Sequence, residues 1–163
     1  MSVTSLDETG SEALMQAQMT NDVIRVVVSG GQWPLGKRVI ERFKNDGGFE
    51  VREVNQSTDA IDSPLDVFVH LAPGDHDALV ERRRSAVIGT PELLHAATVQ
   101  GAKHIVLLSS AMVYGAWPNN PIPLTEETAL RPDFGFAFAR QLATVEQLVD
   151  DWRESSADRG VCV

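Results

Sequence analysis

Cysteine, tyrosine and basic charge are scarce in this 163-residue sequence, and each scarcity narrows what the chain can be. The single cysteine, Cys162, excludes an internal disulfide framework, offers no metal cluster and fits a reducing compartment. Fourteen Lys and Arg stand against 23 Asp and Glu, a formal net charge of -9, which argues against holding nucleic acid or an anionic membrane by electrostatics. The basic run Arg82-Arg83-Arg84 lies between acidic and apolar segments without interleaved aromatics and reads as a solvated helix face. No stretch of about 18 apolar residues occurs, so no membrane span is expected, and the N-terminus lacks the basic, apolar and small-residue order of a signal peptide. These absences predict a cytoplasmic protein. His76, His95 and His104 lack metal-ligand spacing, so no metal site is expected.

What is present is a chain 43% hydrophobic, enough for one domain with its own core. Residues 1–22 hold four acids and no base and read as a mobile tail, leaving 23–163 as the folded domain. The stretch from Val23 to Gly36 runs a β-branched strand into Ser29-Gly30-Gly31 and then, past Leu35-Gly36, into a helical pattern, the sequence form of a first βα unit. Leu35, Val39, Ile40 and Phe43 carry that helix to Asn45-Asp46-Gly47-Gly48. Further strands are predicted at Phe49 to Val54, Leu65 to Ala72, His104 to Ser110 and from Gly160. A helical region from His76 to Gln100 is expected to kink or restart at Thr90-Pro91-Glu92, where threonine would cap and proline would open a new turn. Phe138, Leu142, Val145, Val149 and Trp152 form one apolar stripe of a helix ending near Glu154, after a proline-rich loop from Ala111 to Pro132. The predicted fold is α/β, a doubly wound Rossmann-like parallel sheet of about five strands in three layers. Ligands of such sheets sit in the loops at the strand carboxyl ends, here those after Val28, Leu71 and Ser110.

Several motifs occur in one order: Ser29-Gly30 with Leu35-Gly36, Asp66-Val67-Phe68-Val69-His70-Leu71-Ala72, Val87-Ile88-Gly89-Thr90, Leu108-Ser109-Ser110-Ala111-Met112-Val113-Tyr114-Gly115, Pro132-Asp133-Phe134 and Val145-Glu146-Gln147-Leu148. Together they resemble the nucleotide-binding half of the NAD-dependent epimerase/dehydratase group of extended short-chain dehydrogenases. The resemblance implies NAD or NADP on the first βα turn at Gly30, Trp33, Gly36, Asn55, Leu71 and Ala72. It also implies a Ser, Tyr and Lys catalytic set, and often a nucleotide-sugar substrate held by a C-terminal domain.

This sequence departs from that pattern at one position after another. Trp33 stands where the middle glycine would let backbone approach a pyrophosphate. Asn55 replaces the ribose-binding acid, and the short link Gln56 to Leu65 leaves too little chain for the adenine-side strand and its crossover helix. Ser110 keeps the family serine position, but Phe138 and Leu142 fall on the Tyr and Lys positions, and the alternative register, Phe136 and Arg140, supplies no tyrosine. A phenyl ring and an isobutyl group can neither move a proton nor lower a neighbour's pKa. Ser110 alternatively reads as a turn residue, and a hydrolytic Ser110–His70 pair is the weaker reading.

Three functions follow as expectations. The first is a degenerate family member without hydride transfer that binds no cofactor and acts by binding, as a homodimer through helices 77–100 and 137–154 or with a protein partner. The second is an NAD(P)-dependent epimerase, dehydratase or reductase with an atypical site. The third is a non-redox cyclase or lyase with an apolar pocket lined by Trp33, Tyr114 and Phe138. Val163 falls at a strand start, so either the sheet continues in a longer protein or five strands in the order 2-1-3-4-5 suffice.

Overall fold

The computed structural model describes residues 23–54, 61–73 and 80–163, the last range without the side chains of residues 80–83. The N-terminal segment 1–22, Asn55 and His76 lie outside the described residues, as do the side chains of Arg82 and Arg83; Arg84 is exposed. The elements are β1 (Ile24–Ser29), α1 (Pro34–Asp46), β2 (Phe49–Val54), β3 (Val67–His70), α2 (Val80–Val99), β4 (His104–Leu107), a single 3-10 turn (Ala111–Tyr114), α3 (Ala137–Glu154) and β5 (Gly160–Cys162). The five strands are all parallel, in the order β2-β1-β3-β4-β5. This is the predicted α/β Rossmann-like architecture.

Strand alternation decides which layer each side chain enters. Val27, Phe68, Ile105 and Leu107 face α2 and α3, meeting Leu93, Leu94, Ala97, Val145, Val149 and Trp152. Val26, Val28 and Val69 face the opposite way, against Ile40, Val39 and Phe43 of α1. β1 and β3 are thus covered on both sides, which is why they read as unbroken apolar runs. The link between β2 and β3 joins the first of these layers through Ile61 and Leu65. Arg52 anchors it by donating to the Ser63 hydroxyl and to the carbonyls of Ser63 and Pro64 at 3.1 and 3.0 Å.

Two predicted strands are longer than the ladders observed. β3 starts at Val67: the Asp66 amide still donates to the Arg25 carbonyl of β1, but that of Leu65 turns away to the Gln100 carbonyl. The Asp66 carboxylate receives the Arg25 amide at 2.9 Å and its guanidinium at 2.9 and 2.7 Å, and the Arg25 hydrogen bonds hold its pKa below the ordinary value. β4 ends at Leu107 because Ser110 already caps the 3-10 turn. The restart predicted at Thr90-Pro91 does not occur, and α2 runs through both residues. Thr90 is fully buried, and its hydroxyl donates back to the Ala86 carbonyl at 3.0 Å, while Pro91 lies on the exposed side. The helix forgoes one amide donor at the proline.

That threonine belongs to a buried polar chain at the switch point, where strand order reverses between β1 and β3. Ser29 and His70 end those two strands and are register partners. The Ser29 Oγ lies 2.6 Å from His70 Nδ1, and His70 Nε2 lies 3.0 Å from Thr90 Oγ1; all three residues are fully buried. Since the Thr90 proton goes to Ala86, His70 carries its proton on Nε2 and donates it to Thr90, and Ser29 donates to Nδ1. The ring also stacks on Phe68, with centroids 5.2 Å apart. Burial pushes the imidazole pKa down to about 3. The unfolded chain therefore takes up a proton near pH 6.5 that the folded chain does not. This stabilisation is complete above pH 6.5 and declines by up to about 1.4 kcal/mol per pH unit as pH falls from there toward 3. Urea unfolding followed from pH 7.5 down to pH 5 should show the decline, and His70→Asn should remove this part of the slope.

Candidate functional site

The loop from β1 to α1 lies at the carboxyl end of the sheet, where the resemblance puts a dinucleotide. Gly30 turns the chain with φ +82, a conformation glycine adopts without strain. A Cβ on Gly36 would come within 2.1 Å of the Gly30 carbonyl oxygen, so the helix can meet the turn only through a glycine. Two of the three glycine duties of such a turn therefore persist. At the third position Trp33 is the N-cap of α1, supplies no side-chain cap, and precedes Pro34. Its side chain does not project into solvent. The residue is 6% exposed and packs with Ala72 and Ala86, and a Cβ on Gly30 would lie 3.2 Å from the indole Cε3 and 3.0 Å from the Ala72 amide nitrogen. The indole thus fills the space between the turn, the end of β3 and α2. Its Nε1 and the neighbouring Gln32 Oε1 are buried and meet no hydrogen-bond partner among the described residues. Leu71 and Ala72 are buried as well, Leu71 in the layer beneath α1.

The positions of the catalytic set lie elsewhere on the same edge. Ser110 caps the 3-10 turn, its Oγ accepting from the Met112 amide at 3.3 Å. Both nitrogens of His70 are engaged by Ser29 and Thr90, so no Ser110–His70 pair forms. Phe138, in the first turn of α3, is half-buried, and Leu142 one turn later is fully buried. In the alternative register Phe136 is the N-cap of α3 and Arg140 is exposed.

A cavity of about 860 Å³ opens beyond the ends of β4 and β5, between the 3-10 turn, the loop that follows it and α3. Tyr114 lines it, whereas Trp33 and Phe138 are not among its lining residues. The cavity holds groups that periodicity could not single out. Ser109 donates a short hydrogen bond to Glu146 Oε1, and burial raises the Glu146 carboxyl above the ordinary range while that hydrogen bond opposes the shift. Burial, followed by the charges of Glu146 and Glu126, also raises the Tyr114 phenol. Glu146 and Ser29 stood in the sequence only as members of motifs, Val145-Glu146-Gln147-Leu148 and Ser29-Gly30, without a role of their own.

Comparison with known proteins agrees with this geometry. The model of the NAD dependent epimerase/dehydratase family matches residues 49–163, a span that begins after the turn carrying Trp33. A short-chain dehydrogenase/reductase superfamily protein from Agrobacterium tumefaciens, solved with bound NAD, is similar at 25% identity with a TM-score of 0.65, over 84% of this chain and 48% of its own. The dTDP-glucose 4,6-dehydratase of Bacillus anthracis, in complex with NAD, is 16% identical with a TM-score of 0.65, over 85% of this chain and 53% of its own. The UDP-N-acetylglucosamine 4-epimerase of Bacillus cereus is 20% identical with a TM-score of 0.64, over 85% and 51%. This chain spans about half the length of these solved relatives. No curated protein matches its sequence. With the family model covering most of the chain and the sheet order and Gly30–Gly36 turn in place, the chain belongs to the NAD-dependent epimerase/dehydratase family.

Proposed function

We propose that this chain is a family member that does not transfer hydride and acts by binding, as a subunit of an assembly. The observation that carries the reading is the buried indole of Trp33, seated against Ala72 where a pyrophosphate would need open backbone. With that side chain in place, the residues present do not fit a dinucleotide. The α3 positions support the same reading, since Leu142 is closed into the core and Phe138 has no titratable group. A second reading, an NAD(P)-dependent epimerase, dehydratase or reductase acting on a nucleotide sugar, draws support from the family itself and from the NAD-bound Agrobacterium relative. It requires a proton-transfer group, and the only tyrosine, Tyr114, lies on the 3-10 turn.

Titration with NAD and NADP, followed by tryptophan fluorescence and melting temperature, separates the two readings. No saturable change is expected up to millimolar cofactor. Binding at micromolar cofactor would sink the first reading, because ligand at about 100 times its Kd adds roughly 2.7 kcal/mol to stability and displaces the melting curve visibly. Trp33→Ala should leave the fold intact while costing about 3 kcal/mol or more from the vacated space, and urea unfolding measures that cost.

The assembly we propose is a homodimer formed through α2 and α3. The two helices pack on one another beneath the sheet, and the outer side of α2 presents Ile88 and Val99, each 66% exposed and three turns apart on one face. Light scattering at increasing concentration should give twice the chain mass, and Ile88→Glu should return the monomer, with a melting temperature that no longer rises with concentration.

A further inference from the structure

The cavity beyond β4 and β5 holds a charge imbalance that the fold leaves uncorrected. Among the described residues three carboxylates line it, those of Glu126, Glu146 and Asp150, and Arg153 is the one cation in its lining. Arg153 is already committed: its Nε and Nη2 donate to Asp150 Oδ1 at 2.9 and 2.6 Å, and Glu154 lies 3.6 Å away. Glu146 has no such partner. Ser109 reaches its Oε1, and among the described residues its Oε2 meets no donor and neither oxygen meets a cation. A half-buried carboxylate held in this way loses hydration without regaining it from a counter-charge, which makes it the strongest attractor in the cavity for a ligand's positive group.

The surroundings define the rest of the ligand. Leu107, Val113, Leu130 and Val161 give the cavity an apolar wall, and the Ser110 hydroxyl lines the same space with its proton free to donate. An anion would meet uncompensated carboxylates, and a small hydrated metal ion would leave the apolar wall uncovered. We propose that this cavity binds an organic cation, an ammonium or guanidinium carried on an apolar body, with Glu146 as its counter-ion. Glu146 lies one helical turn past Leu142 on α3, and the cavity does not include the indole-filled turn at Trp33.

The test is an NMR titration of the full chain with three probes of one shape: phenethylammonium, phenethylguanidinium and the anion 3-phenylpropanoate. The cations should shift the amide resonances of Ser109, Ser110, Val113, Tyr114 and Glu146 and bind at least about tenfold more tightly than the anion. Glu146→Gln should reduce that preference to about threefold or less, whereas Ser109→Ala should preserve it. Shifts confined to other surfaces, equal binding of the anion, no saturation by either cation at millimolar concentration, or a preference that survives in Glu146→Gln each overturn the proposal. The site mapping and the cation-to-anion ratio are read on the unmodified chain, so they decide the matter even if Glu146→Gln fails to fold.

Discussion

The hydrogen bond between Ser29 and His70 joins the last residues of the two central strands at the point where the sheet changes direction. Through Thr90 the same histidine is tied to α2, so one imidazole sets the distance between β1, β3 and the helix that covers them. Because the three side chains are fully buried, each must satisfy the others, and the geometry admits one tautomer. The register of the β1–β3 pair therefore has a polar constraint at its carboxyl end and, through Arg25 and Asp66, an ionic one at its amino end. Between them the ladder is apolar and would tolerate slippage far more readily.

This clamp explains how the first βα turn can keep its shape while changing its content. Gly30 and Gly36 respond to backbone geometry, one to a positive φ and the other to a contact that admits no Cβ. The position between them answers to whatever lies above the turn, and here it carries an indole that packs on Ala72 and Ala86. The turn thus persists as a structural joint. On the other side of the sheet's carboxyl edge, α3 has turned the face that would carry Tyr and Lys into core at Leu142, while a helical turn further on Glu146 opens into a cavity.

Much of this was legible in the residues. The strand and helix order and the α3 stripe follow from periodicity, whereas the strand sequence 2-1-3-4-5 rested on the resemblance as well. The helix restart at Thr90-Pro91 was misread because the capping signal is local, whereas Thr90 is claimed by His70 from a strand 20 residues away. A tryptophan beside a groove reads the same in sequence whether it lines the groove or fills it, and only the packing on Ala72 and Ala86 shows where the Trp33 indole lies. Ser29, Ser109 and Glu146 were legible as members of motifs but not for what they contact, since polar residues at strand ends and on helices are ordinary.

The sequence by itself determined the layers, because alternation in strands and the 3.6-residue period of helices assign each side chain a face without reference to any partner. It also determined which residues occupy the positions of a dinucleotide and catalytic set, since identity at a motif position is a property of the chain. Only the tertiary structure decided that the Trp33 indole is packed inward, that His70 is neutral and doubly bonded, and that Glu146 stands in a cavity without a counter-ion. Those outcomes depend on segments distant in sequence arriving at one place, and on the desolvation that follows when they do.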